Sequence, residues 1–578
     1  MNRETIAWSR IVVCIDKSTI TILGQSTDAQ ALSLNRVRGI SSLSECSSDS
    51  PPDTYKSVVK GAALIGFLEL RGGTYLGVVT RASEEGRIGW DHRVVSIHDV
   101  EWIPIGFGIN SIVKSDVRHI SLISNLFKSG DFYFSESLNL DGNNTRFIWN
   151  YQHMQPFARF SPQWTVNIIH GGFRSLNFSS VNQPFQFVLI ARRSRFFAGT
   201  RYRKRGVNWS GDCANEVETE QIFVQFGPPD HVCSFKQVRG SVPLHWSQDF
   251  HNVLGKPEIA VKNTDLELNS TKMHFENLMC RYGAPIVPVS LLLSRKGSTE
   301  ASLGAEYAEA LNQLAMKGVE KLSNFDLKLS ASSTDPSSTA SSSMFNEAAP
   351  LVARVVDQTM FTVQRNNEIV RKQEGIIRAN CVDCLDRTSI FQYMVGLEVL
   401  NRHLVQLGLL DEAHWMRPSW ACGPSVHVTP LLREIESLYD SLSDQLAIQY
   451  AGTAAHKKYS SGSSRQSSFD AGLINSGREL LISLSRHYSS TFTDSDKQNA
   501  INLFCGLYQD MWKDLALDED VCAVDGIDKY VHAKTRHEVD LVQPGQLFQL
   551  KSNRRGREGG YEPILVFHDS KSLLFHPT

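Results

Sequence analysis

With 578 residues, 41% of them hydrophobic and 21% charged, the chain is long enough for several domains and can bury cores without covalent staples. Fifty-nine Lys and Arg against 61 Asp and Glu leave a net charge of −2, which excludes a globally basic nucleic-acid binder. Ten irregularly spaced cysteines exclude a disulfide framework, and no apolar run approaches the ~18 residues of a membrane span. The best apolar runs, 61–70 and 286–293, are short and interrupted by Glu69 and Pro288. Residues 1–18 carry charges early and lack a signal-peptide apolar block, so a cytoplasmic chain with no transmembrane segment is expected.

In chain order, 11–15 and 19–23 predict short strands, and the Ser-, Asp- and Pro-crowded stretch 41–53 predicts a loop. Further strands are predicted at 62–70, 74–80 and 93–97, making 1–115 a β-rich N-terminal region. Tyr307, Leu311, Leu314 and Val319 predict a helix over 305–322. The polar inserts 330–343 and 460–468 predict loops too hydrophilic to bury. A short buried strand is predicted at 375–377. From Ser389 onward Ile390, Met394, Leu397 and Leu404, flanked by Phe391 and Val395, predict a helix capped by Thr388 or Ser389.

Strand, loop and helix in that order aim backbone N–H groups and a helix dipole at one point, an anion site. Cys381 opens the loop, where the dipole and a nearby arginine favour thiolate. Six residues later Arg387 can clamp two phosphate oxygens in a planar fork, and Thr388 can hydrogen-bond the sulfur. These are the parts of metal-independent phosphoryl transfer to sulfur. Read instead as a zinc half-site, Cys381 and Cys384 lack a second pair. Seven basic residues and no acidic one fall in 192–206. That run suits either structural pairing with carboxylates such as Glu218 and Glu220, or an anionic membrane and headgroup. Trp149, Trp246 and Tyr450 read as core.

The run Asn380-Cys381-Val382-Asp383-Cys384-Leu385-Asp386-Arg387-Thr388 resembles the active-site loop of the Sac-domain phosphoinositide phosphatases. Residues 131–135, 146–150, 191–222, 237–248, 274–289, 371–373, 444–453 and 486–506 follow the same family's order, so the resemblance spans about 60–510. It implies an α+β or α/β fold: a β-rich N-terminal subdomain (1–115), a catalytic domain (116–455), a helical continuation (456–510) and a tail without assigned role (511–578). It implies phosphate removal from phosphatidylinositol phosphates, the 4-phosphate first, then the 3-phosphate and 3,5-bisphosphate. Cys381 would be nucleophile, Arg387 the clamp, and Asp383 general acid or water activator. Val382, Cys384, Leu385, Asp386, Arg387 and Thr388 would line the phosphate. Beside a dianion, Asp383 or Asp386 should be protonated, turned away or paired with Arg378.

No cofactor is expected. The implied partners are a phosphoinositide headgroup on the cytosolic face of endomembranes and a membrane-recruiting protein, with no nucleic acid. Some family members end in two membrane spans; this chain shows none, so its contact with membranes would be peripheral. Two positions depart from the family: Ser389, where Asn is common, and 325–328, where an aromatic-Asp-aromatic-His stretch is reduced. Two rivals remain. A cysteine protein-tyrosine phosphatase would carry His where Asn380 stands, and a silent lipid-binding scaffold would have no use for an intact loop.

Overall fold

The computed structural model of the chain describes residues 10–506 and two strands at 550–553 and 562–565. Exceptions within 10–506 are 25–29, 48–56, 107–110, 161–163, 181–182, 228–229, 249–257, 295–297, 326–338, 412–414, 419–429, 456–493 and the single residues 91, 143, 202, 263 and 367. By compactness the chain divides into one unit of 1–87, 92–170 and 496–531, and a second of 88–91, 171–495 and 532–578. The β-rich stretch 1–115 thus falls within the first unit, apart from 88–91, and that unit also takes in 116–170.

In the first unit β1 (Ile11–Ile15), β2 (Thr19–Gly24), β3 (Gln30–Asn35), β4 (Ser44–Ser47) and β5 (Ser57–Gly61) form an antiparallel sheet in the order β4-β3-β2-β1-β5. Alternation sets its inner face: Val13, Ile20, Ile22, Leu32 and Leu34 are buried. The expected loop at 41–53 therefore contains a strand. β4 is an edge strand whose backbone pairs with β3, and that pairing outweighs the poor strand propensity of its serines. Positions 48–53 lie outside the described residues. The strands β6 (Ala63–Leu70), β7 (Gly73–Ile88), β8 (His92–Pro104) and β9 (Phe132–Phe134) follow as sheet neighbours. Helix α1 (Val117–Phe127) buries Ile120, Ile123 and Phe127 at helical spacing.

The second unit changes strand direction midway, and this positions the site. β10 (Ile169–Ser180), β11 (Gln183–Arg193), β12 (Val217–Gln225) and β13 (His231–Arg239) run antiparallel. Then β14 (Ile286–Ser290), β15 (Ser323–Asn324) and β16 (Ile376–Asn380) join in parallel, with β16 between β13 and β14. The apolar run at 286–293 is therefore largely strand. Among the described residues no helix is long and apolar enough to cross a membrane.

Four helices surround this sheet: α2 (Asn269–Tyr282), α3 (Thr299–Leu314), α4 (Thr339–Thr359) and α5 (Asp386–Gln406), with α6 (Pro430–Ala451) beyond. α5 is buried on nearly every side, and Ile390, Phe391, Met394, Val395, Leu397 and Leu404 all lie in the core. α3 starts and stops earlier than 305–322. The Ser298 hydroxyl caps the Ala301 N–H at 3.2 Å, and Ala315 turns left-handed at φ 40°. Val319 instead bridges to Ile286 of β14. In the Ser-rich insert, 326–338 lies outside the described residues and 339–343 begins α4. The helix continues there because Ala348, Val352, Val355 and Val356 bury its inner face. The insert 460–468 lies outside the described residues. Of the tail, Leu550–Asn553 and Glu562–Leu565 pair antiparallel.

Gly375 sets the entry to β16. Its φ is +70°, and a Cβ there would stand 1.8 Å from the Pro285 carbonyl oxygen. Gly408, at φ +68°, has open space instead. Gly408→Ala should therefore lose only the left-handed cost of ~1–2 kcal/mol, and Gly375→Ala distinctly more. Urea unfolding of the two variants checks the order; equal losses would contradict it.

Candidate active site

Parallel strands β13, β16 and β14 send the chain out of the sheet at Gly240, Cys381 and Leu291, along one edge. Carboxyl ends of adjacent parallel strands are where open α/β sheets hold ligands. Arg378, fully buried in β16, donates to Gly240 O (2.9 Å), Ser241 O (2.6 Å) and Ala379 O (2.9 Å), and its Nε donates to His274 Nε2 (3.2 Å). Its donors go to backbone and His274, not to Asp383 or Asp386 as the sequence allowed.

The loop from Cys381 to Leu385 leads into α5, whose first residue is Asp386. Thr388 and Ser389 thus sit inside the first turn and not at its cap. Ser389 reaches back, donating from Oγ to Leu385 O (2.6 Å) and accepting from Arg239 Nη1 (2.7 Å). The hydroxyl of Thr388 and the side-chain amide of Asn380 are buried with no hydrogen-bond partner among the described residues.

Cys384 adopts φ 52°, which turns its N–H onto Cys381 Sγ at 2.9 Å, while its own sulfur donates to Gly240 O at 2.9 Å. Cys381 N–H in turn donates to Cys384 Sγ at 3.3 Å. Burial pushes the Cys381 thiol well up, the Cys384 sulfur adds to this, and the charge of Arg387 opposes it. Cys384 is displaced the other way: against its burial, its hydrogen bonds with Cys381 and the charges of Arg378 and Arg239 pull that thiol down. The sequence leads to an expectation of thiolate from dipole and arginine; at Cys381 burial works against both.

Asp383 is gripped from a part of the chain nearly two hundred residues earlier. Arg201 donates to it from Nε (2.9 Å) and Nη2 (2.5 Å), and Arg205 donates from Nη2 (2.7 Å). Burial alone would raise the carboxyl pKa, but the two guanidinium charges and their hydrogen bonds outweigh it and hold Asp383 well below the usual carboxylate range. Arg205 also donates to Val382 O (2.8 Å), and Asn215 Nδ2 donates to Asp383 O (3.2 Å), fixing the outer carbonyls of the loop. Gly206 lets this arm approach, since at φ +67° a Cβ would stand 2.2 Å from Leu244 O.

Trp246 and Tyr450 are buried as expected, and both flank Arg205 at 5.3 and 6.0 Å from ring centroid to guanidinium carbon. Tyr450 also donates to Lys204 O at 3.0 Å. Arg192 does pair with Glu218 and Glu220, at 2.6 and 2.7 Å. The basic run thus divides: Arg192 serves structure, while Arg201 and Arg205 reach the loop. Sequence reasoning singled out neither of the last two; the absence of any acid within 192–206 was the available signal.

Arg387 Nη1 donates to Leu291 O (2.8 Å) and Glu300 Oε2 (2.7 Å), and Nη2 donates to Glu300 Oε1 (3.1 Å). Nothing in the sequence pointed to Glu300.

The SacI homology domain family matches residues 62–332, which include Arg201, Arg205 and Glu300 but end before the cysteine loop. Pairwise similarity runs further. The chain is 30% identical over 535 residues to phosphoinositide phosphatase SAC2 of Arabidopsis thaliana, covering 78% of this chain and 64% of that protein. It is 31% identical over 539 residues to phosphatidylinositol-3-phosphatase SAC1 of the same plant, covering 78% and 58%. Against phosphatidylinositol-3-phosphatase SAC1 of Saccharomyces cerevisiae it is 28% identical over 486 residues, covering 78% and 73%. The chain therefore spans less than two thirds of the length of the two plant relatives.

Because the folded pKa of Asp383 is depressed, its pairs contribute stability above the unfolded carboxylate value of ~4, lost as pH falls from there toward the folded value. Asp383→Asn should cost ~1–3 kcal/mol at pH 7, with the deficit shrinking only in acid. Denaturant melts across pH check this; a deficit that widens below pH ~4 would contradict it.

Proposed function

We propose that the chain, as a member of the Sac-domain phosphoinositide phosphatase family, hydrolyses a ring monophosphate of phosphatidylinositol phosphates through a phosphocysteine at Cys381. The observation that carries the reading is the sulfur of Cys381 receiving the Cys384 N–H at 2.9 Å, at the mouth of α5 and within the field of Arg387.

In the first step sulfur forms a bond to phosphorus and the inositol oxygen leaves. The thiol proton passes to a phosphate oxygen and departs on the inositol oxygen, so charge balances without a carboxylic acid. That matters because Asp383, ionised between two arginines, holds no proton to give at neutral pH. Its low basicity equally makes it a poor acceptor. Its role is to orient the water that attacks the phosphocysteine, and the water proton ends on the Cys381 sulfur. Arg387 and the N–H groups of Val382 and Leu385 in the loop and of Asp386 and Thr388 in the first turn of α5 hold the phosphate oxygens, while the Cys384 N–H holds the sulfur. Arg201 and Arg205 hold the loop from outside, through the Asp383 carboxylate and the Val382 carbonyl.

Phosphatidylinositol 4-phosphate is the first substrate reading. The 3-phosphate is the second, favoured because two of the relatives are named phosphatidylinositol-3-phosphatases. The lipid context makes the enzyme a peripheral visitor to a membrane face, and an adaptor protein would raise its residence there.

Phosphate release from liposomes carrying single phosphoinositide isomers tests the reading. Wild type should release phosphate with or without chelator, Cys381→Ser should lose at least ~10³-fold, and Cys384→Ser should keep most activity. Release that persists in Cys381→Ser would end the proposal. A separate readout follows the water step: Asp383→Asn should release one equivalent of dephosphorylated lipid and accumulate phosphate on Cys381, visible by intact-protein mass spectrometry. An Asp383→Asn enzyme blocked before any lipid product forms would restore the acid role.

A further inference from the structure

Arg387 offers the phosphate something narrower than a free guanidinium. The group carries five N–H donors in one plane: two on Nη1, two on Nη2 and one on Nε. Leu291 O takes one Nη1 donor at 2.8 Å. Glu300 takes the other Nη1 donor at 2.7 Å and one Nη2 donor at 3.1 Å, so its two oxygens occupy the end of the fork. Two donors are left, Nε–H and the second N–H of Nη2. These two are parallel, on the side edge of the plane, and form the other geometry by which arginine binds two oxygens of one anion.

Glu300 is itself held for this task. Its Oε2 accepts the Leu293 N–H at 3.0 Å, and it stands in the first turn of α3, where the dipole favours a carboxylate. The chain that supplies Leu291 O and Leu293 N–H is the exit of β14, the strand beside β16. The arginine from one strand–loop–helix and the carboxylate from the next are thus registered by a single sheet edge.

We propose that Glu300 is a positioning residue: by occupying the end of the Arg387 fork it dedicates the Nε–Nη2 edge to the phosphate that Cys381 attacks. This rests on the phosphatase reading above. The opposite assignment, a competitor that keeps Arg387 from phosphate, predicts tighter anion binding when the carboxylate is neutralised. Positioning predicts weaker binding, because an untethered guanidinium must be ordered at the moment of binding.

The test uses inorganic tungstate as a phosphate-shaped probe, titrated by calorimetry, beside turnover on phosphoinositide liposomes. Glu300→Gln should raise the tungstate Kd and lower kcat/KM by ~10–100-fold, the range for removing an outer partner that orients a ligand-holding side chain. The discriminating arm is a double-mutant cycle with Arg387→Lys. A lysine has no edge to dedicate, so Glu300→Gln should add little to the Kd of Arg387→Lys. A merely structural Glu300 would cost the same in both backgrounds, and that result overturns the proposal. So does unchanged or tighter tungstate binding by Glu300→Gln. If wild type neither binds tungstate nor releases phosphate, the phosphatase reading itself falls, a result distinct from either of those.

Discussion

A guanidinium with no exposed surface ties the site together. Arg378 sits in the middle of a buried parallel strand, and a buried charge is tolerable only where every donor finds an acceptor. Its acceptors are the carbonyls of Gly240 and Ser241, where the neighbouring strand exits, and of Ala379 on its own. Gly240 O is also the acceptor for Cys384 Sγ. The demand of one buried charge therefore fixes the exit of β13, the exit of β16 and the loop sulfur relative to one another. The geometry of the loop is thus imposed from beneath.

On that base the electrostatics are arranged in pairs. Asp383 is shared by Arg201 and Arg205, and Glu300 engages Arg387. Asp383 and Glu300 thus compensate the guanidinium groups on either side of the loop, while Arg378 and Arg239 lie beneath it. Two aspartates, Asp383 in the loop and Asp386 at the start of α5, can stand beside the proposed phosphate site. Asp383 is compensated from outside the loop, and Asp386 stands in the first turn of α5, where a carboxylate is favoured.

What could be read from the sequence was what is local in it. Cys381, Arg387 six residues on, and the strand–loop–helix around them lie within thirty residues, and the apolar spacing of Ile390, Met394 and Leu397 gave the helix its buried face. Its first residue was misplaced by a turn, because Ser389 satisfies Leu385 O from inside the helix and leaves the cap to an apolar residue. The residues that tune the loop were not legible. Arg201 lies 182 positions from Asp383, and Glu300 lies 87 from Arg387. No spacing rule connects them; the sheet does, by turning three strand exits the same way. The burial of Cys381 was illegible for a related reason, since burial of a loop is a property of what packs over it and not of its own residues.

In the proposed mechanism the raised Cys381 thiol and the ionised Asp383 belong to one solution. A thiolate formed in advance would meet a dianionic phosphate at close range inside a shielded loop, where repulsion between like charges is least screened. A protonated sulfur avoids that encounter, and once phosphate has bound, its oxygens become the nearest proton acceptors. The proton that leaves sulfur is then the one the departing inositol oxygen needs. Under this arrangement a carboxylic acid at Asp383 would be redundant, and the carboxylate is free to be spent on holding Arg201 and Arg205 against the loop.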